Sequence, residues 1–239
     1  MKPLEGRETI LARLAALPEA APPAGLTRPD VVAPVPDGDP AALIERFVQA
    51  LERVQVTWQI AASPVIARLT LATGLQEAGI KQALSWAAGE LPVGGVLEAL
   101  EVLGIEIITP TPPLADIRLR PQDLEVRRRY LLGIEGIPVG LTGADAAFAA
   151  TGTLALRHGP GRPLLVHQLP RRHIVLLAAS QIYPTMERWL AQRPAGAGQP
   201  TSQCITLLTG PSRSADIEVT PVFGVHGPGK LHVIVVQGQ

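Results

Sequence analysis

Val54-Gln55-Val56-Thr57-Trp58-Gln59-Ile60-Ala61-Ala62, followed at once by Ser63-Pro64, decides the fold class of this chain. The first nine residues are rich in β-branched and aromatic side chains and read as a strand. Serine then proline is a helix start: the hydroxyl can accept from the open first turn, and proline at the first helical position loses no bond. That helix runs to a stop near Gly79.

The same alternation continues outward. Gln82 to Trp86 reads as a strand, Val93 to Leu103 as a helix ending at Gly104, Ile105 to Thr109 as a strand, and Pro121 to Leu132 as a helix ending at Gly133. Strand and helix alternating at this spacing mean βαβ units and a parallel sheet. Upstream, Asp39-Pro40 is a second cap-plus-proline start, and Leu43, Ile44, Phe47, Val48, Leu51 and Val54 give it a helical apolar stripe. Residues 1–38 have another texture. A short amphipathic helix over 7–17, with Ile10, Leu14 and Leu17 on one face, is followed by Pro18, Pro22, Pro23, Pro29, Pro34 and Pro36. So many prolines exclude helix or central strand, and the segment reads as an arm beside a domain spanning 39–239.

Beyond Ile137 short apolar runs follow one another with tight turns: Val139 to Thr142, Thr153 to Arg157, Leu164 to Gln168, His173 to Ala178, Gln203 to Thr209 and Leu231 to Gln237. One helix intervenes around Tyr183 to Gln192, and Pro194 to Pro200 reads as a loop. The expected architecture is a three-layer αβα sandwich with a mainly parallel sheet and C-terminal hairpins.

Composition narrows the function. The chain has 239 residues, 46% hydrophobic but only 3% aromatic, so aliphatic side chains fill its core and base-stacking platforms are unexpected. Lys plus Arg and Asp plus Glu number 21 each, which leaves no global field to attract nucleic acid. The run Arg127-Arg128-Arg129, with Glu125 beside it, reads as a solvated helix face. The start, Met1 to Glu8, lacks an apolar signal segment, and the longest apolar runs, such as Ile174 to Ala179, are too short to span a bilayer. Cytoplasmic residence without membrane insertion is expected. The single cysteine, Cys204, cannot form an intrachain disulfide or supply a thiolate cluster, and reads as a buried strand residue.

No strand–GxGxxG–helix unit, HExxH, CxxC or GxSxG is present. Gly224-Val225-His226-Gly227-Pro228-Gly229-Lys230 matches most of a phosphate loop, but Leu231 stands where Ser or Thr is needed, and a strand follows instead of a helix. Four loops carry candidate chemistry. Thr151-Gly152-Thr153 offers hydroxyls and amides, or only a bulge. His158-Gly159-Pro160-Gly161-Arg162 and His226-Gly227-Pro228-Gly229-Lys230 repeat one word. Each suits a type II turn with Pro-Gly at its centre, and each could present a histidine for proton transfer. The fourth, Gly210-Pro211-Ser212-Arg213-Ser214-Ala215-Asp216, follows an apolar strand. Its Ser212 and Ser214 hydroxyls and Arg213 fork suit a small anionic ligand, carboxylate or phosphate. The plain alternative pairs Arg213 with Asp216 or Glu218. His167, His173 and His232 lie in strand-like runs and read as core or sheet-surface residues; no metal site is expected from them.

Thr142-Gly143-Ala144-Asp145-Ala146-Ala147-Phe148-Ala149-Ala150-Thr151-Gly152-Thr153-Leu154, Leu169-Pro170-Arg171-Arg172-His173-Ile174, and above all Thr209 to Glu218 with Gly224-Val225-His226-Gly227-Pro228, resemble blocks of the lactate utilization protein C family, the LUD domain. The resemblance covers residues 140–239, and 40–139 in general layout. It implies a fold like the ribose-5-phosphate isomerase, glucosamine-6-phosphate deaminase and coenzyme A transferase superfamily. It also implies a part in oxidising L-lactate to pyruvate beside iron–sulfur partner proteins, with the clusters in the partners and no cofactor in this chain. The residues assigned to ligand binding are Thr151, Gly152, Thr153, Gly210, Ser212, Arg213, Ser214 and Asp216, with His226 as the proton-handling candidate. Relatives commonly carry Glu just before Thr-Gly-Thr, where this chain has Ala150. Asp145, Asp216 or Glu218 would have to replace that carboxylate, or the family role is not carboxylate catalysis, and whether the chain catalyses alone stays open. The alternative reading is a stand-alone enzyme or binding protein for a sugar phosphate or acyl-coenzyme A ester.

Overall fold

In the computed structural model the described residues are 39–111, 121–192, 204–215 and 221–238. The expected N-terminal helix and arm, the 194–200 loop, Asp216 and Glu218 lie outside them. Helix α1 (Pro40–Arg53) leads into β1 (Thr57–Ala61), α2 (Pro64–Glu77), β2 (Gln82–Ser85), α3 (Val96–Val102), β3 (Glu106–Ile108), α4 (Pro121–Ile134) and β4 (Val139–Gly143). Then come β5 (Ala146–Phe148), β6 (Thr153–His158), α5 (Leu165–Gln168), β7 (Arg172–Ala178), β8 (Ile182–Tyr183) and α6 (Met186–Ala191). β9 (Cys204–Leu208), β10 (Arg213–Ala215), β11 (Pro221–Phe223) and β12 (Lys230–Val236) complete the described elements.

Six strands form the main sheet in the order β1-β12-β7-β4-β2-β3, with every neighbouring pair parallel. The last strand inserts between the first and β7, so both halves of the sequence build one sheet. β4 is buried throughout and β7 nearly so, as expected of strands covered on both faces by flanking helices. A second, mixed sheet, β8-β5-β6-β9, contains one expected hairpin, β5 with β6; β9 pairs antiparallel with β6 from far along the chain, and β8 runs parallel to β5, while β10 and β11 form a separate hairpin. The core is aliphatic, with Leu75, Leu84, Leu141, Leu176, Leu177 and Ile234 sealed beside Phe47 and Trp86. All described residues fall within one compact unit.

Ser63 caps α2, its Oγ accepting from the Ile66 amide at 3.3 Å. Asp39 behaves differently: Pro40 takes the first helical position, but the Asp39 side chain makes no capping bond. Ile44, Phe47, Val48 and Leu51 bury the α1 stripe as its period requires. β1 begins only at Thr57, because α1 ends through Val54 and a left-handed Gln55. Leu164 to Gln168, expected as a strand, is instead a helical turn after Pro163 that buries Val166 and His167. Periodicity cannot separate strand from helix in so short an apolar run. The helix expected from Tyr183 starts at Met186, capped by Thr185, because Ile182 and Tyr183 pair with β5. Cys204, expected to be buried, is exposed on β9, which pairs only with β6 among the described strands.

Candidate functional site

The strand order reverses between β2 and β4: β2 leads outward to β3, whereas β4 leads through β7 and β12 toward β1. Open α/β sheets form their ligand crevice beyond the carboxyl ends of strands at such a point. Here Trp86 and Glu90 follow β2, Asp145 follows β4, and the β6 hairpin brings Arg157, His158 and Arg162 to them. The Asp145 side chain is only 5% exposed and is held by both arginines. It accepts from the Arg157 amide at 2.7 Å and from Arg157 Nε and Arg162 Nη1 at 2.8 Å each. Arg162 Nε donates to Glu90 at 2.6 Å, and its guanidinium lies 5.2 Å from the centre of the Trp86 ring. Burial opposes the Arg162 charge, but Glu90 and Asp145 outweigh it and raise its pKa. The Pro160-Gly161 turn that aims Arg162 is closed by a bond from the Arg162 amide to the Gly159 carbonyl at 2.9 Å, with Gly161 at φ +72. This is the expected Pro-Gly turn.

Behind this clamp three histidines stack through the core. His158 and His167 have ring centres 4.9 Å apart, and His167 and His173 5.9 Å apart. His158 Nε2 meets Thr206 Oγ1 and His173 Nε2 meets Thr142 Oγ1, both at 2.8 Å. Their Nδ1 atoms, that of His167 and Trp86 Nε1 have no hydrogen-bond partner among the described residues. Burial lowers the pKa of all three. His167 falls to about 4, helped by its neighbour His158, and His173 lies well below the ordinary value. The stack is therefore neutral near pH 7. Among the described residues no group of three His, Cys, Asp or Glu has metal-ligand geometry.

The other three loops singled out in the sequence meet at the C-terminal end of α1. Thr151 and Thr153 hydroxyls are 2.7 Å apart, and Thr153 Oγ1 meets Thr209 Oγ1 at 2.8 Å. Thr151-Gly152 is the turn between β5 and β6 rather than a bulge. At Gly152, φ +70 and the Ala50 backbone, 3.0 Å from where a Cβ would stand, exclude a side chain. Arg213 Nη2 donates to the Val54 carbonyl at 2.7 Å, closing the C-terminus of α1. The Ser212 amide donates to the Pro228 carbonyl at 2.9 Å, which joins this loop to the one containing His226. That loop is not a second type II turn. Gly227, before the proline, has φ +149, and Gly229, after it, is not left-handed. His226 is exposed.

Thr151, Gly152, Thr153, Gly210, Ser212 and Arg213 thus come together, with the Ser214 backbone following on β10. The parallel-sheet rule, however, does not apply to them. β9 lies outside the parallel sheet and pairs antiparallel with β6, so its end is not a crevice of the open-sheet kind. Sequence reasoning named Asp145 and the loop that carries Arg162 separately, but not their union with Glu90 and Arg157 into one clamp. The available signal was an aspartate placed just after a buried strand end.

Residues 44–236 match the family described as LUD domain. Lactate utilization protein C from Geobacillus sp. (strain WCH70) is 36% identical over 126 residues, 52% of each chain. The protein of that name from Macrococcus caseolyticus (strain JCSC5402) is 40% identical over 103 residues, covering 42% of this chain and 45% of that one. This chain therefore matches about half the length of these curated relatives. A DUF162 family protein from Deinococcus radiodurans shares the fold, with a TM-score of 0.54 at 21% identity over 83% of this chain and 99% of that one.

Proposed function

This chain belongs to the LUD domain family, and from that premise we propose that it is a component of lactate utilization, serving the oxidation of L-lactate to pyruvate. The observation that carries the reading is the match to relatives named lactate utilization protein C at 36% and 40% identity. Its role is that of an accessory or ligand-binding chain beside iron–sulfur partner proteins in the cytoplasm. One cysteine in 239 residues supports this division of labour, because a thiolate-held cluster needs several. No helix among the described residues is long and apolar enough to cross a membrane.

The ligand site of this proposal is the loop cluster of Thr151, Gly152, Thr153, Gly210, Ser212, Arg213, Ser214 and Asp216, with His226 handling a proton. Its support is the convergence of the described segments at the end of α1, where the Val54 carbonyl orients Arg213. A small carboxylate suits a guanidinium held in a fixed plane.

The test is growth of a deletion strain on L-lactate as sole carbon source. Growth should fail without the gene and return with the wild-type copy. Normal growth of the deletion strain, with no duplicate gene, would end the lactate reading. Arg213→Ala should not rescue growth, while melting cooperatively with a loss of no more than about 1 kcal/mol from the exposed bond to the Val54 carbonyl, which water then takes over. Full rescue by Arg213→Ala removes Arg213 from the site.

A further inference from the structure

On the opposite side of the molecule's chemistry from the clamp, at the amino ends of β1, β12 and β7, α2 leaves the sheet partly uncovered over a cavity of about 490 Å³. Its floor is one face of three parallel strands. Thr57 and Gln59 of β1 lie beside His232 and Ile234 of β12, and Lys230 and His232 lie beside Arg172 and Ile174 of β7. Leu71 and Leu75 of α2 make the apolar wall, and Gly74 completes it.

The charges here are unusual for this protein. Lys230 and Arg172 stand opposite each other in register, two cations on adjacent strands. Like charges on neighbouring strands oppose each other, and an anion held between them relieves that repulsion. Arg157 and Arg162 each have a carboxylate within 2.8 Å. By contrast, neither Arg172 nor Lys230 forms an ion pair with a described residue, and no described carboxylate lines the cavity. His232 is held by Thr57, whose Oγ1 is 2.9 Å from its Nδ1, so the polar floor is ordered.

Gly74 adds a second, independent observation. Glycine is among the poorest helix formers, yet Gly74 sits inside α2 with right-handed backbone. Nothing lies within 4 Å of where its Cβ would be. Neither close packing nor backbone conformation calls for glycine there, and a side chain at this position would enter the cavity.

From the paired cations, the aliphatic wall and the open glycine, we infer that this cavity binds an amphipathic anion, a carboxylate, sulfonate or phosphate head on an apolar body. The head lies between Arg172 and Lys230, and the body lies against Leu71, Leu75 and Ile234. The volume is in the range of about 300–1,000 Å³ that holds ligands of drug-like size. A three-carbon acid would leave most of it unfilled. The inference goes beyond the lactate reading and stands without it.

The experiment titrates the full chain with anilinonaphthalene sulfonate, an amphipathic anion, followed by fluorescence and calorimetry. The expected result is one site per chain. Arg172→Gln and Lys230→Gln should each weaken it about tenfold, as loss of a charge-assisted hydrogen bond does. Gly74→Leu should weaken it at least as much by filling the space, without lowering the melting temperature. Inorganic phosphate and L-lactate, which lack an apolar body, should not displace the probe at equal concentration. Probe binding unchanged in Gly74→Leu and Arg172→Gln, or no binding at all, overturns the site. Displacement by phosphate at equal concentration overturns the ligand class. Gly74→Leu keeps the test decisive should Arg172→Gln fold poorly.

Discussion

At Asp145 a single buried carboxylate answers two guanidinium groups and a backbone amide. Its removal leaves Arg157 without a carboxylate and Arg162 with Glu90 alone, and because both guanidiniums keep some contact with water the cost is that of lost charge-assisted hydrogen bonds, about 2 kcal/mol, rather than of a stranded buried charge. Asp145→Ala should therefore lower the unfolding free energy by about 2 kcal/mol in a urea titration. A loss below about 1 kcal/mol would mean that the clamp contributes no more than an exposed ion pair. His167 makes a second residue-scale case. Its folded pKa, about 4, lies below the ordinary 6.5, so between those values the unfolded chain binds more protons. Stability is then complete above pH 6.5 and falls as the pH drops toward 4. At about 1.4 kcal/mol per pH unit, His167 alone makes the protein roughly 2 kcal/mol less stable at pH 5 than at pH 7. His158 and His173 act in the same direction. Denaturation curves at the two pH values should show the loss, and His167→Gln should make the dependence shallower. A dependence equally steep in the variant would assign it to other groups.

Among the elements, α1 and α2 show the same start signal put to different ends. α1 is strongly one-sided: Phe47 and Leu51 are sealed against the sheet while the opposite face is polar. Phe47→Ala should cost about 3–5 kcal/mol, because the core around it closes only partly over the void. A loss near 1 kcal/mol would show that α1 repacks freely. α2 is less one-sided, burying Ala67, Leu71 and Leu75 while also exposing Val65 and Leu69 among its polar residues. Since Gly74 meets nothing, Gly74→Ala should stabilise α2 by about 1 kcal/mol, through helix propensity and a less flexible unfolded chain. Calorimetric melting would read this as a rise. A fall would mean that the glycine has a backbone role absent from the described contacts.

At the scale of the whole molecule, β12 is the closing piece. It pairs with β1 on one side and β7 on the other, so the sheet is not continuous without it. A chain ended at Gly229 should lose cooperative melting and most near-ultraviolet signal, whereas a cooperative melt would show that β1 can be dispensed with. This dependence also divides what was legible in the sequence from what was not. The βαβ order of residues 54–133, the α2 cap at Ser63-Pro64, the aliphatic core and the later hairpins all follow from local periodicity and turn chemistry, which act within a few residues. The LUD resemblance was likewise legible, because it rests on contiguous words such as Thr209 to Glu218. The insertion of β12 beside β1, the exposure of Cys204 and the helical turn at Leu165–Gln168 were not. Each depends on which strand lies alongside or which face is covered, and neighbours distant in the chain settle that. The sites divide in the same way. Composition alone shows that no thiolate cluster can be built from Cys204. The Asp145 clamp, the stacked histidines and the Arg172–Lys230 cavity exist only because folding brings separate segments into register, where burial and mutual charge replace sequence spacing as the deciding physics.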